Sequence, residues 1–321
     1  MIPTHHACRH PEYGVAGDNR DGRVTFRASD STTTSAVGPN AKGTGMHRCS
    51  HLFVMTATAL SACAGLTAYG FVADSAAAAA KPTTTLTILV TNDDGVTAPG
   101  INATVQALAA LPHTKVTVVA PLTNESGTGA KVTSGTLTVT DATTAGGYPA
   151  KAVAGYPADT IIWAIDDHGV SQRPDLVVSG INYGENIGPL ASLSGTVGAA
   201  QTALARGIPA LAVSQGVDNG QSPNFSQGAK YLVAWVQAHR KALLAAKKGT
   251  ASSVNDNLNV PTCATGHIRG PVNVALGTTL TGYSVGTVDC SGTPAKPKTD
   301  VQAFVDGFAS LTTLHPVNPP Q

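Results

Sequence analysis

The chain has 321 residues, a formal net charge of +1, 12% charged residues and 42% hydrophobic residues. That balance, without any long Lys/Arg run, excludes the electrostatic footprint of a nucleic-acid binder or an anionic-membrane binder, so affinity for a phosphate has to be local. Length alone allows one large domain or two small ones. The stretch before about Lys81 carries no core-like pattern, which leaves one domain over residues 81–321, large enough to bury a substantial interior.

Residues 1–45 are rich in Gly, Ser, Thr, His and Arg without apolar periodicity, and read as disorder or as sequence upstream of the true start. The cluster His5, His6, Cys8 and His10 falls in this segment, which weakens it as a metal site. Met46, His47 and Arg48 precede an apolar run from Leu52 through Val72 and small residues to Ala80, so 46–80 has the layout of a secretory signal. The competing reading is a membrane anchor, against which the many Ala, Thr and Gly residues count. After processing, no stable membrane span is expected, and the protein is expected outside the cytosol, extracellular or in the cell envelope. Leu60-Ser61-Ala62-Cys63 resembles a bacterial lipobox, so lipidation at Cys63 stays open beside cleavage. Cys263 and Cys290 then form an even pair in the mature body, flanking a Gly-rich stretch. A staple fits them better than catalysis, because neither adjoins a His or a basic residue that would activate a thiolate.

From Thr87 the chain alternates strands and helices. Thr87–Thr91 is a short buried strand, and Ile101, Val105, Leu108 and Leu111 recur at helical spacing after Pro99-Gly100. Lys115–Ala120 is a second strand stopped by Pro121. A polar loop and a hairpin follow over Leu122–Tyr156, then a helix over about Ala158–Asp167. Asp175–Ser179 is a third strand, Thr196–Arg206 a helix ended by Gly207, and Ala210–Ser214 a fourth strand. Short apolar strands separated by helical patterns predict an α/β fold, a Rossmann-like three-layer sandwich with a mostly parallel sheet and hairpin extensions.

Chemistry in such a sheet belongs at the carboxyl ends of the strands. Asn92-Asp93-Asp94-Gly95 follows the first strand, Asn124-Glu125-Ser126-Gly127 the second and Ser179-Gly180-Ile181-Asn182 the third. Each alone reads equally as a turn or helix cap. Together they bring two carboxylates, a hydroxyl and an amide oxygen to one edge, a hard-oxygen set suited to one divalent ion, Mg²⁺ or Mn²⁺. Ser194-Gly195-Thr196 precedes a helix, so its N–H groups and hydroxyls can face an anion, although a plain N-cap explains it too. Asp166-Asp167-His168 reads as a solvated helix end, and Trp163 and Trp235 as core.

The run from Ile88 through Asn92-Asp93-Asp94-Gly95 to Ile101 resembles the opening of the SurE (survival protein E) family of 5′/3′-nucleotidases and acid phosphatases. Val118–Gly127, Gly155–Asp159, Val178–Gly188, Ser194–Ala200, Leu258–Pro261 and Thr299–Leu314 resemble its later blocks in order. The resemblance implies metal ligands at Asp93, Asp94, Ser126 and Asn182, phosphate contacts at Asn124, Gly127, Ser194, Gly195 and Thr196, and catalysis centred on Asp93 and Asp94. It implies a nucleotide or other phosphomonoester as partner, hydrolysed with the help of one divalent metal. A broad-specificity exported acid phosphatase and a non-catalytic phosphate- or nucleotide-binding protein remain the alternatives. An aspartyl-phosphate route lacks the Asp-x-Asp-x-Thr arrangement it needs. The chain departs from the family at Tyr156, where Thr is usual, over Pro189–Leu193, and over a short Thr262–Lys298. The last departure bears on subunit exchange, so the homodimer that the resemblance suggests stays open.

Overall fold

A computed structural model describes residues 84–217, 225–246 and 253–317. The expected leader over 46–80, the segment 1–45 and Cys63 lie outside the described residues.

Nine strands form one sheet in the order β3-β4-β2-β1-β5-β6-β7-β9-β8. They are β1 (Leu86–Thr91), β2 (Thr114–Pro121), β3 (Thr138–Thr143), β4 (Pro149–Ala154), β5 (Leu176–Tyr183), β6 (Ala210–Gln215), β7 (Asn255–Val260), β8 (Pro271–Asn273) and β9 (Ala309–Thr313). The six strands from β4 to β7 in the sheet run parallel; β3 joins β4 as an antiparallel hairpin, and on the far side β9 lies antiparallel to β7 with β8 parallel to β9 at the edge. The expected hairpin after β2 is thus present as β3–β4.

Every residue of β1 is buried because the sheet is covered on both faces. On one face Leu86, Ile88 and Val90 pack with Ile101, Val105 and Leu108 of α1 (Pro99–Ala109) and with Leu232, Trp235 and Val236 of α4 (Phe225–Ala245). On the other, Leu89, Val119 and Val177 meet Ile161 and Ala164 of α2 (Pro157–Ile165) and Val197, Ala200 and Ala203 of α3 (Gly195–Ala205). The period-2 alternation of strand side chains sends alternate residues to the two helix layers, the architecture expected from the sequence. Trp235 is core, with its indole N–H on Asp256 at 2.8 Å.

Local chemistry explains where the helices begin. Pro99 and Pro157 occupy first-turn positions where a missing N–H costs nothing. Asp159 accepts the Tyr156 N–H at 2.8 Å at the start of α2, and Ser194 caps α3 by accepting from the Val197 N–H at 3.1 Å. A six-residue helix, α5 (Asp300–Val305), is capped by Thr299.

One expectation changes. The Ser179–Asn182 segment is not a loop after the third strand. β5 runs on to Tyr183 because, beyond the end of β1, it still has β6 to pair with, Tyr183 opposite Gln215, and the register shifts between Ser179 and Asn182. Gly180 makes that shift possible: its φ is +127°, and a Cβ there would collide with the Val213 carbonyl oxygen. The Thr262–Lys298 region, expected to be short, has one strand, the three-residue β8, and Cys263 is disulfide-bonded to Cys290 with Cα atoms 5.8 Å apart.

Candidate active site

The strand order places the site. From β1 the chain builds outward through β2 to β4 on one side, then returns to build β5, β6 and β7 on the other. The reversal lies between β1 and β5, where loops diverge and leave a crevice at the strands' carboxyl ends. Asp93 and Asp94 follow β1, and Asn182 lies near the end of β5.

Three contacts close the segments around this crevice. The Glu125 N–H donates to the Asp93 carbonyl at 2.7 Å, which sets Ser126 beside the first loop. The Tyr183 N–H donates to Asp94 Oδ2 at 3.1 Å, which sets Asn182 beside it. Thr196 donates to Asp93 twice, N–H to Oδ2 at 3.0 Å and hydroxyl to Oδ1 at 2.5 Å. The four segments singled out in the sequence therefore meet at Asp93 and Asp94.

Asp93, Asn182, Ser194 and Thr196 are buried, whereas Asn124, Ser126 and Gly127 are exposed, so the crevice has a closed floor and an open rim. Asn182 donates its amide N–H to the Gly184 carbonyl at 2.8 Å, which leaves Oδ1 as an acceptor. Asn124 Oδ1 accepts the Ser126 N–H at 2.9 Å, leaving its amide N–H groups for another partner. Ser194 Oγ is used as an acceptor by the α3 cap and keeps its O–H to donate. Thr196 spends both donors on Asp93, so the anion that the start of α3 holds here is that carboxylate. Gly195 is needed for the approach: a Cβ would stand 2.8 Å from Asp93 Cβ and 2.9 Å from Pro157 Cγ.

Burial pushes the Asp93 carboxyl above the ordinary range despite the Thr196 bonds that pull it down. Burial, then repulsion from Asp93, pushes Asp94 up to about 6, against the opposing Tyr183 N–H. The two ion pairs among the described residues, Lys151–Asp141 and Arg206–Asp166, involve neither carboxylate. Two oxygens at the same junction, Asn92 Oδ1 and Ser179 Oγ, are buried without a hydrogen-bond partner. Adjacent carboxylates, one buried and one half-buried, that lack a basic partner fit a cation. Among the described residues no three His, Cys, Asp or Glu side chains cluster as a metal group, so neutral oxygens must complete the set. Such a donor set suits a hard ion better than zinc.

Two features escaped the sequence reading. Asp159 does more than cap α2: its carboxylate also accepts from the Thr133 N–H and hydroxyl, at 3.1 and 2.7 Å, and ties the β2–β3 loop to the helix beside the site. Its position two residues after Pro157 at a helix start was the readable signal. Tyr156 lies under the Lys131 ammonium, 4.6 Å from the ring centroid. Asp166, by contrast, is held by Arg206 and takes no part.

Residues 88–282 match the family model described as survival protein SurE. The chain is similar to a 5′-nucleotidase SurE of Methanopyrus kandleri, 39% identical over 185 residues that cover 54% of this chain and 66% of that protein. It is 36% identical over 243 residues to a 5′-nucleotidase SurE of Moorella thermoacetica, covering 71% of this chain and 89% of that one. The crystal structure of the SurE protein from Aquifex aeolicus superposes with a TM-score of 0.55 at 29% identity, over 71% of this chain and 93% of the other.

Proposed function

The chain belongs to the SurE family, and on that premise we propose that it is a metal-dependent phosphomonoesterase that hydrolyses nucleoside 5′- or 3′-monophosphates to nucleoside and phosphate. The observation that carries the reading is the pair Asp93–Asp94, adjacent, the first buried and the second half-buried, neither with a basic partner, and ringed by hydroxyl and amide groups at the sheet's reversal point.

In this reading Asp93, Asp94, Ser126 and Asn182 hold one divalent ion, Mg²⁺ or Mn²⁺. When bound, such an ion supplies Lewis-acid polarisation of the phosphoryl oxygens and neutralises developing charge. The chain's own groups do the rest. The start of α3 fixes Asp93 through Gly195 and Thr196. The Asn124 amide, the Gly127 N–H and the Ser194 hydroxyl orient the phosphoryl oxygens, since phosphoryl transfer depends chiefly on positioning and charge stabilisation. Water attacks phosphorus in line and gives a proton to Asp94 Oδ1, the oxygen not committed to Tyr183; the P–O bond to the nucleoside breaks, and the leaving oxygen takes up that proton to depart as the alcohol, which returns Asp94 to the carboxylate.

The disulfide suits an oxidising compartment and supports placing the mature protein outside the cytosol. The test of the function is a hydrolysis screen of nucleoside monophosphates and generic phosphomonoesters with Mg²⁺, Mn²⁺ or chelator. Phosphate release that needs a metal and stops with chelator is expected. Tight phosphate binding with no turnover of any monoester would replace the enzyme by a binding protein.

A further inference from the structure

Six large apolar side chains stand exposed among the described residues: Leu122, Tyr183, Leu193, Leu276, Val285 and Val317. Scattered singly they would mean nothing. Three of them, however, lie within two residues of Asn124, Asn182 and Ser194, on three different segments that meet at the crevice. Leu122 directly follows β2, two residues before Asn124, with its N–H on the Val153 carbonyl at 2.8 Å. Tyr183 ends β5 with its N–H on Asp94. Leu193 directly precedes Ser194, and its carbonyl accepts the Gly129 N–H at 2.9 Å. Their exposures are 50%, 52% and 60%, so each presents about half of its surface to solvent beside a polar, anion-receiving floor.

A rim of this kind is wasted on inorganic phosphate or on a small polar ester. It matches a substrate with a phosphate at one end and a flat apolar group at the other. Two tyrosines adjoin the crevice, and only one ring is open. The Tyr156 face carries the Lys131 ammonium, whereas among the described residues no cation or aromatic ring lies on Tyr183. The Tyr183 backbone is held by Asp94 and by pairing with β6, so its ring is anchored at the metal-binding edge rather than on a mobile tip.

We infer that Tyr183 is a specificity-determining residue that stacks on the nucleobase of a nucleoside monophosphate, with Leu122 and Leu193 completing an apolar rim. The inference rests on the proposed phosphomonoesterase reading and adds the source of substrate choice. Every base has a π-face, so stacking without readout of base edges selects nucleotides over non-aromatic esters and is tolerant among bases. Purines, with the larger rings, are favoured over pyrimidines.

The experiment compares kcat and KM for AMP, UMP and glycerol 2-phosphate in the full chain and in Tyr183→Ala and Tyr183→Phe, with metal present. The parent should prefer AMP to glycerol 2-phosphate, and Tyr183→Ala should lower that preference about 10-fold, the size of one base–aromatic stack, mainly through KM. Tyr183→Phe should retain it, because the ring suffices. Equal loss on both esters, an unchanged AMP preference in Tyr183→Ala, or a shift in oligomeric state as the main effect would overturn the inference. A parent that hydrolyses AMP and glycerol 2-phosphate equally well overturns the inference and leaves the phosphatase. A parent that hydrolyses neither overturns both.

Discussion

Thr196 gives both of its donors to Asp93, the N–H at 3.0 Å and the hydroxyl at 2.5 Å, across 103 residues of chain. The first turn of α3 carries unpaired N–H groups and a partial positive charge, which holds a carboxylate where burial would otherwise expel its charge. In the proposed reaction the first turn of α3 therefore acts through Asp93, and Asn124 and Gly127 of the exposed rim are left, with the Ser194 hydroxyl, to meet the substrate.

Asp93→Asn tests that arrangement. An amide accepts through one oxygen only and bears no charge, so one Thr196 bond and the ligand charge are both lost. Metal-dependent turnover is expected to fall by more than about 100-fold, beyond the loss typical of groups that merely support a ligand. A rise in melting temperature on adding Mg²⁺ or Mn²⁺ is expected of the parent and should be absent from the variant. Full turnover in Asp93→Asn would remove Asp93 from the ligand set.

The raised carboxyls make a pH prediction for metal-free protein. Asp94 titrates near 6 in the folded state, against an ordinary value of 3.8. Between those values the folded state binds more protons than the unfolded one, so stability falls as pH rises through the window. Chelator-treated protein should melt higher at pH 5 than at pH 7.5, and Asp94→Asn should flatten the difference. Saturating metal should reverse the trend, because it binds the ionised carboxylates. An Asp94→Asn profile as steep as the parent's would assign the slope to other groups.

Gly195→Ala should disable the site while leaving the fold. The added Cβ meets Asp93 Cβ and Pro157 Cγ inside 3 Å, and overpacking of this kind costs about 1–3 kcal/mol. Relief comes most readily by displacing Asp93, so activity and metal-induced stabilisation should fall together. Denaturant unfolding would show the moderate stability loss, and a variant with parental activity would mean that the close approach is unimportant.

Cys263–Cys290 closes a loop with a sequence separation of 27. Chain-entropy arguments put the stabilisation from a loop of that length at about 3–4 kcal/mol. Replacing both cysteines by serine should lower the denaturant midpoint accordingly. The same region reaches back to the crevice wall through the Tyr283 hydroxyl, which donates to Glu185, so hydrogen exchange should rise around Glu185 in the double variant. Unchanged protection there would confine the disulfide's effect to its own loop.

Much of this protein was written in short stretches of sequence. The apolar run Leu86–Val90, the periodic Ile101-Val105-Leu108 and the Ser194 cap each specify their element through neighbours a few residues away, so an α/β alternation and the Asn92–Gly95 turn are readable directly. Which strands adjoin is not a local property. The reversal between β1 and β5, the continuation of β5 past Ser179 and the meeting of Asp93 with Thr196 follow from sheet order and layer packing, which depend on contacts many tens of residues apart. The same holds for Asp159 on Thr133 and for the open ring of Tyr183. Residue types and their periodicity determined the elements and the donor groups; only tertiary packing decided which donors bond one another and which face outward, because burial and hydrogen bonding are resolved between segments rather than within them.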